Sequence, residues 1–144
     1  MGERARYLPF KKIMLIGEYR YHVGLKNRVA LPKKFRDDLG EQVVAMRGYE
    51  GSIMVVSRKN WSKLVEEAIG GPLTDPKVRD TARFLMGSAH EVEFDAQGRF
   101  VLPPSLVEHA GTAAGKEVVF VGLGRWVELW SSDRWDSRLK KVIS

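Results

Sequence analysis

The chain repeats itself, and the repeat limits what it can fold into. Shifted by 71 residues, Asn27-Arg28-Val29-Ala30-Leu31-Pro32 falls on Gly98-Arg99-Phe100-Val101-Leu102-Pro103. Phe35 then falls on Leu106, Leu39 on Ala110 and Gly40 on Gly111. After a short insertion at Thr112 to Gly115, Val43-Val44-Ala45 meets Val118-Val119-Phe120, and Ser57 and Trp61 match Ser131 and Trp135 at a shift of 74. Halves of about fifty residues with short strands are marginal alone. Paired into one pseudo-symmetric barrel, each covers the other's sheet edges.

Each half reads alike. An alternating strand, Tyr19 to Val23 or Glu91 to Phe94, leads into a polar turn, Gly24-Leu25-Lys26-Asn27 or Asp95-Ala96-Gln97-Gly98. Asn27 and Gly98 at the fourth turn position tolerate positive φ. Strands Arg28–Leu31 and Arg99–Leu102 follow, ended by Pro32 and Pro103, which suit the first turn of a short helix closed by Gly40 or Gly111. Strand pairs Val43–Arg47 with Ser52–Val56, and Glu117–Val121 with Trp126–Trp130, come next, with a hairpin turn at Val121-Gly122-Leu123-Gly124. Ser57 caps a predicted helix with a buried stripe of Trp61, Leu64, Val65 and Ala68, stopped by Gly70-Gly71-Pro72. Asp75-Pro76 starts another, with Val78, Ala82, Leu85 and Met86 on one side and Gly87 at its end. A last helix from about Asp133 buries Trp135, Leu139 and Val142. Trp61, Trp126, Trp130 and Trp135 read as core or subunit-contact residues.

Charge separates the halves. The formal net charge is +6, and residues 41–144 hold fourteen basic and fourteen acidic side chains. The excess therefore lies in residues 1–40, where Arg4, Arg6, Lys11, Lys12, Arg20, Lys26, Arg28, Lys33, Lys34 and Arg36 face only Glu3, Glu18, Asp37 and Asp38. A localised excess attracts a polyanion, whether nucleic acid, acidic membrane or acidic protein, or else serves only as a solubilising surface.

Other classes recede. No apolar run approaches the roughly 18 residues that span a bilayer. The absence of cysteine removes disulfide scaffolds, thiolate zinc sites and cysteine nucleophiles and fits a reducing cytoplasm. His22, His90 and His109 lie far apart with no metal-ligand spacing. Neither Asp37-Asp38 nor Glu66-Glu67 can flank a substrate from one helix face. The glycines after Val121 lead into a strand and not a helix, which argues against a phosphate loop. No enzyme, metal site, cofactor or small-molecule substrate is expected.

The second half carries Asp95-Ala96-Gln97-Gly98-Arg99 followed by Phe100-Val101-Leu102-Pro103, and the first carries Gly24-Leu25-Lys26-Asn27-Arg28 followed by Val29-Ala30-Leu31-Pro32-Lys33-Lys34-Phe35-Arg36. With Gly17-Glu18-Tyr19 and Leu85-Met86-Gly87-Ser88-Ala89 before the two copies, the chain from about Met14 to Val142 resembles the MraZ family. These are bacterial regulators of the SpoVT-AbrB-like class with an Asp-x-x-x-Arg motif in each half. The fold expected is α+β, mainly β: a pseudo-symmetric swapped-hairpin barrel of AbrB type with flanking helices. Residues 1–13 form a basic extension, 14–70 the DNA-facing first half, 71–90 a connecting helix and 91–144 the second half. The extension is either a basic arm adding non-specific DNA affinity or an alternative start. The resemblance implies a cytoplasmic, nucleoid-associated regulator that binds double-stranded DNA upstream of the division and cell-wall gene cluster. It further implies a repressor that reads short direct repeats as a homo-oligomeric ring of eight or more subunits. Linked weak patches of this kind gain effective concentration on repeated sites.

The first motif departs from the family pattern, with Gly24 in place of Asp and Asn27 in place of Gly. Loss of the acid leaves Arg28 either freer for DNA or poorly oriented. Residues 20–36 hold Arg20, Lys26, Arg28, Lys33, Lys34 and Arg36 and no acid, whereas residues 91–107 hold Arg99 against Glu91, Glu93 and Asp95. The first half is therefore expected to meet DNA. Arg28 is the first candidate for reading a guanine edge. Lys26, Lys33, Lys34, Arg36 and Arg20 are candidate phosphate contacts. Asn27 is a candidate base contact or a turn former only, and Asp95 with Arg99 a structural pair. Alternative readings are a barrel whose basic face binds RNA or an acidic protein, a small enzyme at the barrel seam, and an oligomeric scaffold without ligand.

Overall fold

The repeat dictates how the strands pair. A computed structural model describes residues 14–144; Arg4, Arg6, Lys11 and Lys12 of the basic extension lie outside the described residues. The elements are β1 Leu15–His22, β2 Arg28–Ala30, α1 Lys33–Leu39, β3 Val43–Arg47, β4 Ile53–Ser57, α2 Arg58–Ile69, α3 Pro76–Met86, β5 His90–Val92, β6 Arg99–Val101, α4 Pro104–Ala110, β7 Glu117–Gly124, β8 Val127–Ser131 and α5 Ser132–Ile143. They form an α+β fold, as the sequence predicts. A six-stranded sheet runs β1-β7-β8-β4-β3-β5, and β2 with β6 forms a separate two-stranded ribbon. All pairings are antiparallel.

Each half gives its leading strand to the other. β1 pairs with β7 from Leu15 opposite Gly124 to His22 opposite Glu117, and β5 pairs with β3 through Val43 opposite Val92. The ribbon places Val29 opposite Phe100, its own repeat mate at the shift of 71, with Arg28 opposite Val101 and Ala30 opposite Arg99. β4 and β8 place Met54 opposite Glu128, its mate at the shift of 74, between the pairs Ile53–Leu129 and Val55–Val127. A pseudo-twofold axis thus passes through both mate pairs.

Alternation along the strands divides the apolar residues between the two sheet faces. Val43, Ala45, Ile53, Val55, Val118, Phe120, Val127 and Leu129 join Val29, Leu31, Phe100 and Leu102 of the ribbon arms and Phe35, Leu39, Leu106 and Ala110 of α1 and α4 in the main core. On the opposite face Val44, Met46, Met54 and Val56 pack with Leu85 of α3 and with Trp61, Leu64 and Ala68 of α2. Val119, Val121 and Trp130 lie against Trp135 of α5. A sheet covered on both faces explains why its central strands read as near-continuous apolar runs.

The repeat also shows in the helix starts. Ser57 accepts from the Asn60 N–H at 3.1 Å and its mate Ser131 from the Arg134 N–H at 3.4 Å, while Asp75 accepts from the Lys77 N–H at 2.9 Å ahead of Pro76. Three expectations need correction. β1 begins at Leu15 and β7 runs on to Gly124, because the two pair along their whole length. The hairpin turn therefore falls at Gly124-Arg125, with φ +89° at Gly124, and Gly122 sits inside the strand, where a Cβ would meet the Ile16 backbone nitrogen at 2.6 Å. Val142 is 69% exposed, because the apolar cluster under α5 does not extend past Trp135 to its last turn. The stripe of α2 is half-buried where full burial was expected.

Candidate nucleic-acid interface

The ribbon carries the site. Val29 and Phe100 point into the core, so Arg28, Ala30, Arg99 and Val101 face outward together. Arg28 and Arg99, treated apart in the sequence because they belong to oppositely charged halves, share this face as repeat mates across the axis. The signal was present: two copies of one strand can pair about an axis only by bringing their equivalent residues together.

The two motifs hold their arginines differently. In the second, Asp95 Oδ1 accepts from the Gln97 N–H at 2.8 Å and the Arg99 N–H at 3.0 Å, and Oδ2 accepts from Arg99 Nε at 2.9 Å. The Arg99 N–H above all, with the Gln97 N–H and the guanidinium, holds this carboxyl below the usual aspartate range. In the first motif the matching backbone bond survives, Gly24 N–H to the Arg28 carbonyl at 2.7 Å beside Asp95 N–H to the Arg99 carbonyl at 2.9 Å. With no carboxylate to organise it, the turn takes another form. Lys26 and Asn27 both adopt positive φ, 60° and 57°, and the Arg28 N–H donates to the Leu25 carbonyl, the pattern of a primed hairpin turn. Asn27 fits because it tolerates the left-handed region; the same conformation at Lys26 costs strain.

The side chains then separate. Among the described residues, Arg28 makes no side-chain hydrogen bond or ion pair, and it is exposed beside exposed Lys26. Asn27 is tied inward, with Oδ1 accepting from the Ala114 N–H at 3.1 Å and its carbonyl from the Leu102 N–H at 2.8 Å. Lys33 and Lys34 open α1, both exposed, with Lys33 Nζ 3.6 Å from Asp37. A helix N-terminus disfavours cations, so packing gives no reason for them there. Their repeat mates are the uncharged Pro104 and Ser105.

Two of the arginines expected at the interface have partners of their own. Arg36 is half-buried; its Nε donates to the Leu31 carbonyl at 3.1 Å and its guanidinium lies on Gly98, where a Cβ would come within 2.6 Å of Nε. Arg20 lies opposite Val119, on the α5 face of the sheet and away from the ribbon. It donates to Asp136 at 2.7 Å and Glu117 at 3.1 Å, and these two carboxylates raise its pKa further. The structure therefore brings Arg28 and Arg99 to one ribbon with Lys26 in the turn before it, sets Lys33 and Lys34 at the start of the following helix, turns Arg36 inward and places Arg20 on the opposite face. Among the described residues no cluster of three or more His, Asp or Glu side chains could hold a metal ion. No helix there is long and apolar enough to cross a membrane.

Comparison with known proteins agrees with this architecture. A family model for the MraZ protein matches twice, over residues 14–84 and 85–144. A protein of Halothermothrix orenii named "Transcriptional regulator MraZ" is 41% identical over 126 residues, covering 88% of this chain and 87% of its own. Proteins of the same name from Natranaerobius thermophilus and Thermus thermophilus are 40% and 37% identical over 131 residues, covering 91% of this chain and 90% and 91% of their own. These relatives are named as regulators and not as enzymes. The chain, with its two motif-bearing repeats interleaved around one axis, belongs to the MraZ family.

Proposed function

We propose that this chain is a sequence-specific DNA-binding transcriptional regulator whose β2·β6 ribbon enters the major groove. The observation that carries the reading is the outward face of that ribbon, where Arg28 has no protein partner among the described residues. The major groove, about 12 Å wide, admits a two-stranded ribbon, and a guanidinium fork matches the O6 and N7 acceptors of guanine. Arg28 reads the base, while Lys26, Lys33 and Lys34 meet phosphates and set register. The names of the relatives support a transcriptional role.

The remainder of the reading rests on the family resemblance. The chain acts in the cytoplasm at the nucleoid, as a repressor of the division and cell-wall gene cluster, with residues 14–70 supplying most of the DNA surface. It binds direct repeats as a homo-oligomeric ring of eight or more subunits. Exposed Val142 and Ile143 of α5 support association between copies.

The test is fluorescence anisotropy on duplex DNA carrying direct repeats from upstream of the gene, beside a scrambled duplex, across a range of salt. Tighter binding to the repeats is expected, and Arg28→Ala should weaken it by about 1–3 kcal/mol while leaving the scrambled duplex far less affected. An unchanged ratio of repeat to scrambled affinity in Arg28→Ala would refute base reading by Arg28. Failure of the parent to bind either duplex at low salt would sink the DNA reading.

A further inference from the structure

The sheet face opposite the ribbon holds a cavity of about 380 Å³ that DNA binding does not use. Its floor is Met46, Met54 and Glu128 of β3, β4 and β8, and its walls include Leu64 of α2, Leu85 of α3 and Trp126. The volume lies in the range of small-molecule sites, which are mostly apolar with a few placed polar groups.

Glu128 is the anomaly. It is the repeat mate of Met54 and sits opposite it on the pseudo-twofold axis, where its neighbours in the cluster under α2 and α3 are the apolar Val44, Met46, Met54, Val56 and Leu85. Its Oε1 accepts from Trp130 Nε1 at 2.8 Å and its Oε2 from Trp126 Nε1 at 3.4 Å. A carboxylate has about four acceptor positions, so two indole donors leave the others open to whatever occupies the cavity. No basic side chain pairs with it among the described residues. Arg125, on the same cavity wall, is held by Glu67 at 3.1 and 3.5 Å. Burial pushes the Glu128 carboxyl up, and the nearby Glu50 charge pushes it further the same way. A cation in the cavity would relieve the cost of keeping this carboxylate charged.

We propose that this cavity binds a small amphipathic cation, an alkyl- or arylammonium compound, with its ammonium on the Glu128 carboxylate and its apolar body among Met46, Met54, Leu64 and Leu85. Glu128 gives charge selectivity, and the methionines adapt to the shape of the apolar part. The site lies behind the ribbon and is independent of the DNA reading.

The experiment is calorimetric titration of the full-length protein with phenethylammonium and with its neutral counterpart, phenethyl alcohol, at fixed ionic strength. Saturable binding at one site per chain is expected, with the ammonium preferred about ten-fold or more, the worth of one charge-assisted hydrogen bond. Glu128→Gln, which keeps an oxygen acceptor for one indole, should abolish that preference while the alcohol still binds. Leu64→Trp, which fills the cavity, should abolish both. Circular dichroism and sedimentation of each variant confirm that fold and assembly are kept. Equal affinity for ammonium and alcohol, a preference that survives Glu128→Gln, or no saturation by the ammonium into the millimolar range would each overturn the proposal. The last result includes the case in which a second copy of the chain covers the cavity.

Discussion

Gly98→Ala tests the interleaving of the repeats at one contact. Gly98 belongs to the second motif, has φ +75°, and lies under the guanidinium of Arg36 from the first half. Alanine in the left-handed region costs about 1–2 kcal/mol, partly offset by about 0.4–1 kcal/mol of lost freedom in the unfolded chain. Its methyl group must also displace Arg36, which breaks the 3.1 Å bond from Nε to the Leu31 carbonyl, worth about 1 kcal/mol at a half-buried site. Gly98→Ala should therefore cost about 2 kcal/mol in the parent and about 1 kcal/mol once Arg36→Ala has removed the obstacle, a coupling of about 1 kcal/mol. Urea unfolding followed by tryptophan fluorescence measures this, at one chain concentration because association adds to apparent stability. If Gly98→Ala costs the same with and without Arg36, the glycine is there for its φ alone and the contact between halves carries no energy.

Further outcomes bear on the site. Gly24→Asp should convert the first motif into the form of the second, since a Cβ at Gly24 meets only the Arg28 carbonyl oxygen, at 3.3 Å. New bonds to the Lys26 and Arg28 N–H groups should raise stability by about 1 kcal/mol, and the captured Arg28 should lose repeat-specific affinity; unchanged affinity would refute a role for the free guanidinium. Lys34→Ala should lower the salt slope of DNA binding by about one, whereas Arg36→Ala should leave it unchanged because Arg36 is engaged inward; equal slopes in the two variants would overturn that division. Asp95 has a lowered folded pKa, so it stabilises the fold above the ordinary aspartate value and that contribution drains away as pH falls through the folded value. Thermal melts of the parent should therefore fall more steeply as pH drops below the ordinary aspartate value of about 4 than those of Asp95→Asn, and parallel profiles would exclude the motif as an acid-sensitive element.

The repeat carried most of the fold because pairing about a twofold axis is a property of equivalence. Once Val29 matches Phe100 and Met54 matches the position of Glu128, the two axial strand pairs follow. What stayed hidden depends on register between distant strands. Arg20 alternates with Tyr19 and Tyr21, so its opposition to them was readable, but which sheet face the ribbon covers was not. Arg36 has the uncharged mate Val107 and looked like one more surface cation. Its contact with Gly98 exists because β2 pairs with β6 and the Leu31 N–H donates to the Gly98 carbonyl, and no local pattern encodes it. Val142 continued a helical stripe whose partner layer had already ended.

The two motifs separate what a strand-turn-strand unit needs to fold from what it needs to act. Both keep the backbone bond across the turn, the inward apolar residue and the closing proline, so both fold. The second spends its arginine on its own aspartate. The first has lost that acid, takes up strain at Lys26, and leaves Arg28 exposed beside Lys26 and ahead of Lys33 and Lys34 at the unfavourable end of a helix. Each of those choices raises the energy of the isolated chain, and each becomes favourable when a polyanion lies against the ribbon. On the proposed reading, a surface locally destabilised in this way, set against a well-satisfied copy of itself across a pseudo-twofold axis, gives up stability at the one place where a polyanion would restore it.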